Sequence, residues 1–555
     1  MSEKKGRKEI LKEEGASRAV VSGSFSFIFA ILGSLLLFVF TVLATGNPGL
    51  AYYGAISATL GIFNVLGSGL GQAFLARIKK SYVEDDYDQV IIRASSFTKV
   101  YVILGVILGG ILLVLSLLMP DPFMSFILLM SIPPILLNYI FGTLRGMLNM
   151  KNRFDITGFV GSFFGTVVFI VGGIFILLGL PAVYFTLSPF FISLNTIVMF
   201  LYFNKRVSDF KIKDLYLKGK LMSPENKEFI KYSFFSTLTN LESIGVLGNL
   251  IIFLTTILLF FWYPSIQLLA VQILTIVMTY AIVKVAIIFF SGPLNIEIAE
   301  AVSKGNHHIV QDTITDIGRF AFLIGLILMT IVCSGSAHIL SILHRSLFLE
   351  SNGSLNEELL LMSQLILIFC AVGQACYGFA ALFGNALIGS GHGKDSALIF
   401  GITLILTIIL TPVSIFFWGY MGAGITMLLT GLFVLPYMLL QIKKDLKVKL
   451  NFRLPNMVPI LLILFLLIYF YPLQLVLEHL RYSNHLAEAL VGLIMLFGII
   501  LTFLVGIPFF GVMGPGDGKL ISDLTQSFNA EWLGNFALIL GKYFYYLNPL
   551  HKKLE

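Results

Sequence analysis

Only two ionisable side chains fall deep inside the apolar runs of this 555-residue chain, Glu242 and Lys284. A charge in hydrocarbon costs about 2.5 to 3.5 kcal/mol on insertion scales, so each implies a polar interior or a partner. Glu242 sits about 13 residues into the apolar run 229–261, roughly 20 Å along a helix, with Gly245 and Asn249 at i+3 and i+7 on its face. A carboxylate at that depth suits ion or proton exchange. Lys284 lies near one end of the run 265–290, in register with Tyr280 and Ser291, and its ammonium suits an anionic group as a point charge. The two could equally neutralise each other as an interhelical ion pair, because their estimated depths overlap.

Weaker polar positions are Asn64, Asn138, Arg145 and Asn195. Together they offer the donors and acceptors that a hydroxyl-rich ligand needs in a cavity. Asparagines within spans also hydrogen-bond neighbouring helices for about 0.6 kcal/mol each, so each has a structural reading as well. Arg145, near the end of its run, could meet an anion or snorkel to the headgroups. His307 and His308 are adjacent and, on a helix, would point about 100° apart, which forbids the i, i+4 zinc pair. Cys333, Cys370 and Cys376 all fall in apolar runs and read as small hydrophobes. The larger loops carry only Glu350, Glu357 and Glu358, or Glu478, His479 and His485, too sparse a set for a membrane glycosyltransferase or polymerase. No catalytic residue, metal or cofactor is expected, and a coupling proton or sodium ion is left open.

These residues are carried by elements of one kind. Hydrophobic residues make up 57% of the chain and charged residues 12%, about half the charged share of a soluble domain, which excludes a soluble enzyme on a single anchor. Nearly every stretch longer than about 30 residues holds a run of roughly 20 apolar residues, enough to cross a bilayer. Cutting at charged and Pro/Gly-marked breaks predicts an all-α polytopic membrane protein of about fourteen spans, including 51–76, 98–118, 123–146, 229–261, 265–290, 319–342 and 360–388. The polar residues 1–18 form an expected cytoplasmic tail, since the apolar run behind them is too long for a signal-peptide core. With the N-terminus inside, 34 of the 37 Lys and Arg residues fall on the inner side. Both termini are therefore expected in the cytoplasm, and the net charge of +7 reflects orientation in a plasma membrane, not nucleic-acid binding. Asn352-Gly353-Ser354, in an outer loop, matches a glycosylation acceptor, a pattern that chance readily supplies.

The chain also repeats. Phe74-Leu75-Ala76-Arg77 leads to Val90 with Lys99 nine positions on, and Ile296-Glu297-Ile298-Ala299-Glu300 leads to Val310 with Arg319 nine positions on. Arg153 precedes a span ending in Gly179-Leu180-Pro181-Ala182, and Lys394 one ending in Gly419-Tyr420-Met421-Gly422-Ala423. The expected organisation is an N-lobe of six spans at 19–203, a basic cytoplasmic linker at 204–228, a C-lobe of six spans at 229–442 and two further spans at 456–510. Ile521, Leu524, Phe528, Trp532, Phe536, Leu540 and Phe544 recur at helical spacing, so 519–548 reads as a cytoplasmic amphipathic helix on the membrane surface or on the bundle.

Four short segments add a family resemblance. Gly46-Asn47-Pro48-Gly49-Leu50-Ala51-Tyr52-Tyr53-Gly54 and Gly69-Leu70-Gly71-Gln72-Ala73 flank the second span; Ser291-Gly292-Pro293-Leu294-Asn295-Ile296-Glu297-Ile298-Ala299-Glu300 and Gly384-Asn385-Ala386-Leu387-Ile388-Gly389-Ser390-Gly391 lie in the second half. They resemble the multidrug/oligosaccharidyl-lipid/polysaccharide (MOP) exporter superfamily, and within it the Wzx-type polysaccharide biosynthesis proteins. The acidic residue those flippases often carry in the seventh span has only a shifted counterpart here, Glu242. The resemblance implies two pseudo-symmetric lobes in a MATE-like V around a central cavity. It also implies a monomer that flips a polyprenyl-phosphate- or pyrophosphate-linked oligosaccharide between leaflets without covalent chemistry. Lys284 or Arg145 would then meet the lipid phosphate, with the asparagines facing the sugars. The alternative within the same fold is a cation-coupled multidrug exporter. It is disfavoured by the absence of Asp and Glu from 19–43 and 360–388.

Overall fold

The computed structural model describes residues 47–83, 86–150, 182–207, 213–220, 224–240, 246–281, 283–288, 307–349 and 356–448, with scattered positions elsewhere. The first span, the spans within 456–510, the 519–548 stretch and Glu242 lie outside the described residues. Every element among those described is a helix. In chain order they are α1 (Gly49–Val83), α2 (Tyr87–Leu118), α3 (Pro122–Ile140), α4 (Gly142–Met150), α5 (Ala182–Val207), α6 (Asp214–Leu217), α7 (Pro224–Asn240) and α8 (Val246–Trp262). A single 3₁₀ turn then leads to α9 (Gln267–Tyr280), followed by α10 (Val283–Ile288), α11 (His307–Leu343), α12 (Arg345–Phe348), α13 (Glu357–Gly389), α14 (Gly393–Trp418) and α15 (Met421–Asp445).

Five helical stretches among the described residues are long and apolar enough to cross a bilayer: Tyr87–Leu118, Pro122–Met150, Glu357–Gly389, Gly393–Trp418 and Met421–Asp445. Their outer faces are apolar. Ile103, Val106, Ile107, Val114, Leu117 and Leu118 of α2 and Leu398, Ile405, Ile409, Val413 and Phe417 of α14 are all exposed, a surface that only lipid satisfies. The chain is a membrane protein. Aromatic residues gather where α8 and α14 end: the Trp262 and Phe416 rings meet edge to face at 5.5 Å, and the Tyr263 hydroxyl donates to the Phe416 carbonyl, as in an interfacial belt.

Several helices outrun their hydrophobic segments. α2 begins at Tyr87, eleven residues before the expected 98, with Asp86 capping the Gln89 amide. Its 32 residues reach about 48 Å, against about 30 Å of hydrocarbon. Hydropathy therefore marks where the bilayer starts, and the helix continues into water. The same correction applies to His307 and His308, which precede the expected span 319–342: they open the 37-residue α11, and the His308 imidazole pairs with the Asp312 carboxylate one turn on at 2.7 Å. α2 and α11 each start three residues before Val90 and Val310, the valines matched in the repeat, and both valines are buried.

The chain divides into two compact units, Met1–Tyr280 with His392–Val434, and Ala281–Gly391 with Leu435–Glu555. In the first, α1 packs against α2, α3, α5, α7, α8 and α9, and its core runs through Phe74, Phe97, Leu112, Ile135, Tyr139 and Leu144. It thus combines helices from both of the expected lobes. In the second, α10, α11 and α13 pack on one another.

Candidate functional site

α1 crosses the first unit beside α3, and their separation is set by tyrosines whose hydroxyls reach the α1 backbone. Tyr139 of α3 donates to the Phe63 carbonyl at 2.6 Å, and Tyr101 of α2 to the Gly67 carbonyl, one turn further along α1, at 3.4 Å. A tyrosine buried in this way keeps its ring in the core and its hydroxyl on an acceptor. The anchor fixes its neighbour: Asn138, next to Tyr139, is exposed and places its amide nitrogen 3.4 Å from the Asn64 carbonyl oxygen of α1.

Two turns beyond Asn138 stands Arg145. It is the sole exposed residue of the nine in α4, where Thr143, Leu144, Gly146, Met147, Leu148 and Met150 are all buried. Its guanidinium interacts electrostatically with Tyr101. Asn64, Asn138 and Arg145 thus follow one another as a polar stripe along the chain, the first two in contact and Arg145 seven residues on, past the turn at Phe141. Asn249 joins the same region from α8: a side chain at Gly61, three residues before Asn64, would overlap the Asn249 carboxamide, so glycine is what lets α1 and α8 approach there. Asn195 is exposed on α5, and its amide donates to the Phe191 carbonyl of its own helix at 2.8 Å, one turn back.

Lys284 belongs to the second unit and is 6% exposed. It sits on α10, which packs against α11 and α13, with Gly378 of α13 against Ile287 and the Lys284 backbone. The expected continuous run 265–290 is interrupted here, because α9 ends at Tyr280, Ala281 is not helical and α10 begins at Val283. No Gly or Pro signals that break, and the helical register expected between Tyr280 and Lys284 does not carry across it. The Glu242–Lys284 pair lies outside the described residues on its acidic side.

A second polar cluster, missed in the sequence, occupies the opposite end of the first unit. Asp121 is 7% exposed and caps α3, accepting the Phe123 and Met124 amides, both at 3.2 Å. The Gln267 carboxamide of α9 donates to the same carboxylate at 3.1 Å and to the Thr256 carbonyl at 2.9 Å. Gln272 donates to the Asn47 carbonyl at 2.8 Å. Asp121 was readable as a helix cap from Asp-Pro, whereas its glutamine partner, 146 residues away, had no local signal.

No family model and no curated protein matches this sequence. Among solved structures, the chain resembles the "Lipid II flippase MurJ, inward closed conformation" with a TM-score of 0.60 at 14% identity, over 86% of this chain and 98% of that one. It also resembles the inward-facing conformation of a multidrug resistance MATE family transporter of the MOP superfamily, with a TM-score of 0.57 at 14% identity, over 77% of this chain and 99% of that one. The fold is that of the MOP transporters.

Proposed function

We propose that this protein is a flippase of the MOP fold that moves a polyprenyl-phosphate- or pyrophosphate-linked oligosaccharide from the cytoplasmic to the outer leaflet of the plasma membrane. Two six-span lobes, 19–203 and 229–442, would alternate access to a path between them, with both termini in the cytoplasm and the chain acting as a monomer. The observation that carries this reading is the stripe from Asn64 and Asn138 to Arg145. Carboxamides followed by a guanidinium match a hydroxyl-rich glycan joined to a phosphate, and the same cation repels a cationic drug. Arg145 lies at the end that the Lys and Arg count puts in the cytoplasm, where such a precursor enters. Lys284, in the second unit, is a further candidate cation for a phosphate, Asn195 and Asn249 are candidate polar groups for the glycan, and Glu242 is a candidate site for a coupling proton or sodium ion.

A cation-coupled multidrug exporter is the second reading, favoured by the similar TM-score to the MATE transporter. Transfer of a fluorescent polyprenyl-pyrophosphate oligosaccharide in proteoliposomes separates the two. The flippase reading expects protein-dependent transfer that falls at least tenfold in Lys284→Ala or Glu242→Gln at matched insertion. No transfer, together with proton- or sodium-driven efflux of organic cations, would establish the exporter instead.

A further inference from the structure

The basic segment between α5 and α7 is docked through α6, and what it docks on is a break in the fourth expected span, Pro122–Met150. At Phe141 the helical ladder is interrupted: the Leu144 amide donates to the Phe141 carbonyl at 3.0 Å, three residues back. The Ile140 carbonyl, its partner in an unbroken helix, is thereby left without that donor. A carbonyl left unsatisfied away from water costs about 1 to 3 kcal/mol. It is met from outside the span, by the Tyr216 hydroxyl of α6 at 2.9 Å. The Leu144 carbonyl, one turn further, accepts the Asn204 amide of α5 at 3.1 Å.

Tyr216 is itself held. Three residues on, the Gly219 amide donates to the Ser95 hydroxyl at 2.7 Å and its carbonyl accepts from the Lys99 ammonium, both on α2. A Cβ at Gly219 would overlap the Ser96 backbone, so only glycine allows the segment to lie this close to α2. α6 is therefore pinned between α2 on one side and the break in the fourth span on the other. Arg145 follows the break directly, next to the Leu144 whose amide and carbonyl are both fixed by it.

We propose that Tyr216, held in place by Gly219 and Lys99, is a positioning residue for Arg145: it fixes the break that turns the guanidinium into the accessible stripe, so that the linker between the lobes sets the protein's affinity for a lipid-linked pyrophosphate. This inference rests on the flippase reading of Arg145. The role needs the hydroxyl alone, since the ring of phenylalanine would occupy the same place.

The test is a double-mutant cycle on the full-length protein in nanodiscs, with geranylgeranyl pyrophosphate as the probe and equilibrium binding as the readout. Tyr216→Phe should weaken binding about fivefold beside Arg145, and change it less than twofold once Arg145→Ala is present. Lys99→Met, which removes one of the two bonds that hold Gly219 without touching Tyr216, should weaken binding in the same direction, and the effect should vanish in the same background. A Tyr216→Phe loss of equal size in both backgrounds would overturn the proposal, since a general loosening of the fold does not depend on Arg145. If Arg145→Ala weakens binding while Tyr216→Phe and Lys99→Met leave it unchanged, the clamp fails and the flippase reading stands. If Arg145→Ala itself leaves binding unchanged, Arg145 is no headgroup contact, and both fall together.

Discussion

The two ends of the fourth span are finished by opposite means. At its start a charged side chain from the adjoining loop, Asp121, gathers the Phe123 and Met124 amides and the Gln267 carboxamide. At its far end neutral donors brought from elsewhere, Tyr216 and Asn204, satisfy carbonyls around an internal break. A helix start exposes amides, which a local carboxylate meets without help. A break within a span exposes carbonyls, which only a donor from another element can meet. The first end is self-sufficient, and the second depends on a distant segment and stands beside the cation we assign to substrate. The contrast suggests a fixed end and an adjustable one.

The largest effect expected from disturbing this contrast is at the fixed end. Asp121→Ala removes a cap and leaves the buried Gln267 amide with one acceptor fewer, a combined loss of about 2 to 3 kcal/mol in a reversible detergent unfolding series. Asp121→Asn should retain part of it, and an Asp121→Ala protein as stable as wild type would remove the distinction between the ends. Gly219→Ala comes next, at about 1 to 3 kcal/mol, because the added methyl meets the Ser96 backbone, which cannot yield as a side-chain tip does. Tyr216→Phe should cost about 1 kcal/mol, with a larger proportional effect on binding than on stability.

Tyr216 also carries a pH signature. Burial pushes its phenol from 10.0 up to about 12, so the neutral, donating form is favoured in the folded protein. The stabilisation it gives is complete below pH 10 and is lost as pH rises toward about 12. A difference ultraviolet titration of wild type minus Tyr216→Phe should show one tyrosine ionising near the upper value, and one ionising near pH 10 would mean that the hydroxyl is not held. The smallest effect belongs to Asn195→Ala, under about 0.5 kcal/mol, since that amide is bonded to its own helix. A large loss there would mean that Asn195 has partners beyond the Phe191 carbonyl.

The sequence was informative about what the bilayer itself dictates. Runs of apolar residues located the five long spans among the described residues. It was misleading where helices leave the bilayer: the charges between Tyr87 and Lys99 read as a loop, yet that stretch is helical because water tolerates charged turns as readily as coil. Asn64, Asn138 and Arg145 were picked out because polar groups are costly in hydrocarbon, and the structure places the first two in contact. Tyr101, Tyr139, Tyr216 and Gln267 were passed over, since one polar atom on a large or flexible side chain gives no periodic signal. The break at Ala281 was equally silent, and the one at Phe141 nearly so. Gly142 follows the first break, but a glycine within a span also serves close packing, and the break is held open by a hydroxyl 76 residues away.

The central claim, that an anion-bearing lipid travels along the stripe ending in Arg145, is tested most directly by one comparison. Wild type and Arg145→Ala, reconstituted at matched density and orientation, are assayed for transfer of a fluorescent polyprenyl-pyrophosphate oligosaccharide between leaflets. The account predicts transfer by wild type and a loss of at least tenfold in the variant, partly recovered in Arg145→Lys, which keeps the charge without the bidentate fork. Equal transfer by wild type and Arg145→Ala would contradict it.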